Sequence, residues 1–140
     1  NEKLPHEVFE KLEKIRYKEE RQKYLEKYQT FAVRTILQLN FDKSIELDLP
    51  EGIPPYKEDA APAGIQLMPI NKALAILSRL VKENEGLPKI KKEQRFIQLL
   101  EGIHSKDAKA LVYAKDGKLQ ELYSKITIKL VQDSIPKLKL

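Results

Sequence analysis

Residues 93–117, EQRFIQLLEGIHSKDAKALVYAKDG, predict two amphipathic helices that meet at a short basic corner. At 3.6 residues per turn, the apolar residues of the first helix share one broad face. That face consists of Phe96, Ile97, Leu99, Leu100 and Ile103. The flank of the same helix carries Lys91, Arg95, Gln98 and Gly102. We therefore expect a helix that packs with one side and offers its polar side outward.

The second helix is predicted over residues 106–115. Ser105 is a favourable N-cap, and Asp107 in the first turn suits the positive end of the helix dipole. The pair Asp116 and Gly117 is typical of a helix stop. The side chains predicted to point inward are Ala108, Leu111 and Val112, and those predicted to point outward are Lys106, Lys109 and Tyr113.

Helical spacing of apolar residues recurs along most of the 140-residue chain, of which 41% is hydrophobic and 34% charged. It covers residues 5–15, 17–28, 30–41 and 70–82. The third of these segments is apolar on several sides, which predicts a central helix. Residues 125–135 fit a strand or a helix, and the lack of an obvious partner strand favours the helix. The chain is thus predicted to be one all-α domain, 1–140, of about six helices, with a frayed start at 1–4.

Residues 42–69 interrupt this pattern with five prolines, two glycines and an acidic excess. A helix does not tolerate prolines at this spacing, so a long connection is predicted. Long connections in small domains are normally functional or held down by their own apolar residues. Such anchors are Ile45, Leu47, Leu49, Ile53, Tyr56, Ile65, Leu67 and Met68. We expect an ordered loop that wraps the domain, with a short extended stretch over 45–49.

The positive charge lies in the second half of the chain. Residues 70–140 hold 15 Lys and Arg against 8 Asp and Glu, a net charge of +7, whereas the whole chain carries +5. Such an excess is expected for a polyanion partner, although many lysine-rich surfaces are only solvated. The candidate nucleic-acid-binding residues are Lys89, Lys91, Lys92, Arg95, Gly102, Lys106, Lys109, Lys115, Lys118, Lys125 and Lys129. Gly102 belongs to this set because a backbone without a side chain can approach a phosphate or sugar closely.

The sequence contains no motif for a catalytic, metal or cofactor site. It has no cysteine, and its five glycines are scattered singly, so a phosphate-binding loop is absent. His6 and His104 lie far apart, without a ligand at metal-binding spacing. No serine stands in a Gly-x-Ser-x-Gly turn, and no apolar run approaches the roughly 20 residues that cross a bilayer. We expect a soluble, cytoplasmic, non-enzymatic protein without a cofactor, a small-molecule substrate or a membrane partner.

Three stretches carry a resemblance to a known family. They are KYLEKYQTFAVRTILQLNF at 23–41, FIQLLEGIHSKDAKALVYAKDGKL at 96–119 and ITIKLVQDSIP at 126–136. Their order, with the long connection between the first two, resembles the all-helical N-terminal DNA-binding domain of ATP-dependent DNA ligases, most closely the T-even-like phage type. The chain also looks like short stand-alone proteins of such phages. The ligase pattern Asp-Leu-x-x-Gly-x-Ser before the last helix is replaced by DGKL at 116–119.

The resemblance implies a ligase-domain fold that contacts sugar and phosphate across the minor groove of duplex DNA without reading sequence. By position it points to Arg95 and Gly102 on the first helix of the corner and to Lys106 at the corner. On the last helix it points to Lys125 and Lys129. The catalytic domains of a ligase have no counterpart in this chain, so the resemblance does not imply ligation.

The leading hypothesis from the sequence is a non-catalytic, sequence-tolerant DNA-binding module. Contacts from about four to six basic residues predict a log affinity that falls against log salt with a slope of roughly −4 to −5. A second hypothesis is a protein-interaction module that docks on a host or viral protein through residues 47–68. A third is a subunit that completes an enzyme supplied by another chain.

Overall fold

A computed structural model describes residues 3–58 and 67–140. Within these ranges the chain forms seven α-helices, two short 3₁₀ helices and no strand, so the all-α prediction is confirmed with one helix more than about six. The α-helices are α1 (Pro5–Lys14), α2 (Lys18–Lys27), α3 (Phe31–Phe41), α4 (Ile70–Leu74), α5 (Lys89–Glu101), α6 (Ser105–Lys115) and α7 (Ile128–Ser134). The 3₁₀ helices are η1 (Ala75–Arg79) and η2 (Leu119–Glu121). None of the helices in the described ranges is long and apolar enough to cross a membrane.

The core is built around α3 and α6, which pack against each other. α3 begins at the N-cap Thr30, whose Oγ1 accepts a hydrogen bond from Val33 N at 3.2 Å. Its central position was predicted, and four of its residues are fully buried: Ala32, Val33, Ile36 and Leu37. α1 packs on both central helices, while α7 packs mainly against α2. This arrangement leaves α5 at the outside of the domain, with α6 beneath it.

α6 ends as predicted but begins differently. Gly117 adopts a φ of +71°, and the amides of Gly117 and Lys118 return to the carbonyls of Ala114 and Tyr113, which is the usual glycine helix stop. The predicted N-cap Ser105 is the first helical residue instead. The cap is His104, whose Nδ1 accepts from Lys106 N at 3.1 Å.

The helix predicted over 70–82 is wrong in length and type. α4 has five residues and passes into η1, which ends at Arg79. Leu74, Leu77 and Leu80 are buried and three residues apart, the repeat of a 3₁₀ helix rather than an α-helix. Beyond Leu80 the chain pairs with the preceding connection, because Leu47 forms an isolated antiparallel bridge with Val81. That bridge is the observed form of the extended stretch predicted over 45–49.

The start of the last helix also differs from the prediction. α7 begins at Ile128, three residues later than expected, because Thr127 Oγ1 accepts from Leu130 N at 3.1 Å and caps the helix there. Leu4, predicted to be frayed, donates its N–H to Oε1 of Glu7 at 2.8 Å in front of α1. Residues 1 and 2 lie outside the described part of the chain.

The proline-rich connection runs across α5 and α6. Gly52 N donates to Oδ2 of Asp116 at 2.9 Å, and Lys57 N donates to Oε2 of Glu101 at 2.8 Å. Side chains at the ends of both helices therefore hold backbone amides of the connection. Residues 59–66, which include the predicted anchor Ile65, lie outside the described ranges.

Candidate nucleic-acid interface

The outer face of α5 carries the basic residues that the flank pattern predicts. Lys91, Arg95 and Gln98 are exposed, as is Lys89 at the helix start. Lys91 and Arg95 are four residues apart, so their side chains are neighbours on the helix surface. None of the three cations forms an ion pair with a carboxylate in the described part of the chain, whose ion pairs lie elsewhere. We name Lys89, Lys91 and Arg95 the α5 basic face.

The start of α5 adds to this positive charge. Its N-cap is Pro88, which supplies no side-chain hydrogen bond, and its first turn has no acidic residue. The unsatisfied amides and the dipole of a helix N-terminus favour an anion. The lysines at the start of α5 and the helix N-terminus therefore both favour binding of an anion.

α6 contributes a narrow exposed strip beside the corner. Lys106 and Lys109 are exposed as predicted, whereas Tyr113, predicted to point outward, is half-buried. The rest of the helix is largely buried. The ammonium of Lys106 lies 3.4 Å from Oε1 of Glu10 on α1. Both side chains are well exposed, so this pair is weak and screened by salt.

Lys125 and Lys129 do not share the last helix, contrary to the prediction. Lys125 precedes α7, and its Nζ donates to the carbonyl of Glu13 at 2.8 Å. Lys129 lies on α7, 3.1 Å from Asp133 Oδ1, and Asp133 also pairs with Lys18 of α2 at 3.4 Å. The hydrogen bond from Lys129 is the main cause that lowers the pKa of Asp133. These lysines thus belong to a surface of mixed charge around α1, α2 and α7.

Lys92 is buried, so its assignment to a binding surface is wrong for this conformation. Its side chain is 1% exposed, and its Nζ donates to Asp48 Oδ2 at 3.0 Å and to the carbonyl of Val81 at 2.9 Å. The physical reason is helical spacing, because Lys92 shares its side of α5 with Phe96 and Leu99, which are also buried. The sequence already contained this spacing, which could have placed Lys92 on the buried side of α5.

Lys115 is likewise engaged within the protein. Its side chain is 4% exposed, and its Nζ lies 2.6 Å from Asp116 Oδ1 and 2.9 Å from the carbonyl of Pro50. Lys115 therefore holds the connection against the end of α6, and its ammonium is not exposed to bind a polyanion. Lys118, three residues further, is exposed.

Met68, at the end of the connection, fills the space beside Gly102. Its carbonyl accepts from Met68 N at 2.8 Å, and a Cβ at this position would lie 2.9 Å from the Cε of Met68. The close approach that glycine permits is thus made by the end of the connection. A phosphate or sugar at Gly102 would require Met68 to move.

A second polar cluster was not anticipated, because its members are distant in sequence. His6 and His104 stack with ring centroids 4.3 Å apart, and His6 Nδ1 lies 2.9 Å from Asp107 Oδ1. Asp107, which lies in the first turn of α6 as predicted, is 1% exposed. The described residues contain no cluster of three or more His, Cys, Asp or Glu side chains that could hold a metal ion.

The connection also forms an apolar cavity of about 200 Å³ against α5. Its wall includes Leu49, Pro50, Pro54, Pro55, Phe96 and Ile97. Ile53 lies on its rim and is 69% exposed, whereas Tyr56 packs against the core. Among the large apolar residues of the connection that the structure describes, Ile53 is more exposed than Leu67 and Met68.

Comparison with known protein families identifies a related family. The pattern of DUF6433, described as a family of unknown function, covers residues 8–121. The chain belongs to the DUF6433 family. This match runs from Val8 within α1 to the end of η2 and so includes the α5 basic face, the corner and the connection. No curated protein and no solved structure matches the chain.

Proposed function

We propose that this DUF6433 protein binds duplex DNA without catalysis and with little sequence preference, through phosphate contacts from the α5 basic face. The observation that carries the proposal is the adjacent, exposed and unpaired state of Lys91 and Arg95 on α5. Lysine and arginine contacts to phosphate supply affinity but carry no sequence information. Gln94 and Gln98 are the exposed amides on this helix, too few to read a site.

The corner and the α6 strip extend this surface in the proposal. Lys109 is exposed without a carboxylate partner in the described ranges, and Lys106 can exchange its solvated pair with Glu10 for a phosphate. We also propose that the scaffold is related to the ligase DNA-binding domain. The order of helices, with a long connection between α3 and α4, supports this relation.

The test is fluorescence anisotropy with a labelled duplex at two salt concentrations. The double variant Lys91→Glu and Arg95→Glu should lose at least about tenfold in affinity, and its salt slope should fall in magnitude by about 2. The matched control is Lys11→Glu with Lys14→Glu, which changes the net charge equally on exposed positions of α1. The control should keep the wild-type slope. Equal losses in both variants, or no binding by the wild type at low salt, would contradict the proposal.

A second candidate function is docking on a protein through the connection. The exposed Ile53 beside an apolar cavity favours it, because such rims accept an apolar side chain of a partner. The test compares proteins captured from a lysate by the wild type, by Ile53→Ser and by the exposed control Ile90→Ser. A captured protein lost only with Ile53→Ser supports docking, and identical capture by all three contradicts it.

A further inference from the structure

The starts of α1 and α6 meet at two stacked histidines. His6 is the second residue of α1, and His104 is the N-cap of α6. Their rings are 4.3 Å apart at centroids and inclined by 23°. The same Asp107 oxygen, Oδ1, accepts from His6 N at 2.8 Å and lies 2.9 Å from His6 Nδ1. The pair thus joins two elements that are about a hundred residues apart in sequence.

The hydrogen-bond partners of the two rings predict which ring nitrogens carry protons. His104 Nδ1 accepts from Lys106 N, so it has a lone pair and its proton sits on Nε2. His6 Nδ1 faces a carboxylate oxygen, so it carries a proton and donates. An imidazolium is protonated on both nitrogens. His6 can therefore become charged and keep its bond to Asp107, whereas a charged His104 must give up the cap.

The charged groups around the pair come from three elements. α6 supplies Asp107, whose Oδ2 is buried without a hydrogen-bond partner in the described residues, and Lys106. α1 supplies Glu10, which pairs with Lys106. Tyr123, after η2, is close enough to Asp107 for the carboxylate to help raise its pKa. The fourth neighbour, residues 67–70, contributes apolar side chains only.

We propose that His6 and His104 form a pH-sensitive switch, which holds the start of α1 on the start of α6 while His104 is neutral and loosens this contact when both rings are charged. Two imidazolium rings in a stack repel, and the second proton also removes the acceptor that caps α6. Because the cap needs the lone pair of His104 Nδ1, a proton added there removes the cap, and the contact weakens as the pH falls.

The direct experiment is nitrogen NMR of the histidine rings in the wild type. In the neutral rings, His104 should be the Nε2–H tautomer and His6 the Nδ1–H tautomer. Opposite neutral tautomers in a stacked pair would be unexpected for two solvated histidines. Finding His104 in the Nδ1–H form would overturn the proposal, whatever the variants do.

The second experiment is urea unfolding at about pH 7.5 and 5.5 of the wild type and of His104→Asn. Asparagine is a strong N-cap that does not titrate in this range, so the variant should keep α6 capped. The unfolding equilibrium constant of the wild type should rise about five- to tenfold more than that of the variant as the pH falls. The same rise in both proteins would overturn the proposal. This result is independent of DNA binding, which neither measurement involves.

Discussion

The ammonium nitrogen of Lys92 lies 3.0 Å from Oδ2 of Asp48, so a buried lysine of α5 holds the connection between α3 and α4. The same ammonium donates to the carbonyl of Val81, at the point where the connection bridges to the chain after η1. Three separate segments thus converge on one side chain. Its neighbour Lys91 points to solvent.

Lys92→Met should lower the free energy of unfolding by about 1–3 kcal/mol, because it leaves the Val81 carbonyl and a partly buried carboxylate without their donor. Lys91→Met is the matched control, and its effect should stay within about 0.5 kcal/mol. Urea denaturation of the two variants measures the difference. Similar stabilities would show that the Lys92 contacts contribute little.

Salt dependence should reveal how many cations contact DNA. The three cations of the α5 basic face, together with Lys106 and Lys109 of α6, predict a slope of about −4 to −5 for log affinity against log salt. Lys92 and Lys115 add nothing to this slope, because both are buried and bonded within the protein. Anisotropy titrations over several salt concentrations measure the slope. A value near −3 would remove Lys106 and Lys109 from the proposed interface.

Gly117→Ala should destabilise the protein by about 1–2 kcal/mol, because a side chain at a φ of +71° meets the following carbonyl. Gly86→Ala is the control. Its added Cβ would meet no atom closer than 3.5 Å, and its φ is not in the left-handed region. Thermal unfolding of both variants measures the difference in stability. Equal melting temperatures of Gly117→Ala and Gly86→Ala would contradict the prediction.

Tyr123 should make the protein sensitive to alkaline pH. Burial, with help from Glu10 and Asp107, raises the pKa of Tyr123 to about 12 from an ordinary value of 10.0. A raised pKa means that the folded state holds this proton more tightly. The stabilisation is complete below pH 10 and is lost as the pH rises toward 12.

Tyr123→Phe should therefore weaken the alkaline loss of stability while the ring keeps its contact with Phe9, 5.4 Å away between centroids. Tyr17→Phe, at an exposed position, is the control and should follow the wild-type profile. Denaturant unfolding from pH 9 to 12 checks this. Unchanged pH dependence in Tyr123→Phe would place the titrating group elsewhere.

Local spacing in the sequence determined α1, α2, α3, α5 and α6, but not the short α4 and η1 or the start of α7. The corner between α5 and α6, the stop at Gly117 and the outward direction of Lys91 and Arg95 all follow from residues within a few turns of each other. These features depend on backbone dihedral preferences and on the 3.6-residue repeat, which are local properties. The same repeat also places Lys92 beside Phe96, although a charge at that position is easily assigned to the surface.

Only the tertiary structure decided which partner each charged group meets. The contact of His6 with Asp107 spans 101 residues, that of Lys92 with Asp48 spans 44, and that of Lys115 with the carbonyl of Pro50 spans 65. A helix repeat fixes the direction of a side chain but not the element that packs against it. The energy of a charge depends on that element, because burial and a fixed partner outweigh the residue type. For this reason the candidate interface is smaller than the sequence predicted. It consists of the lysines and the arginine that remain exposed after distant segments have packed together.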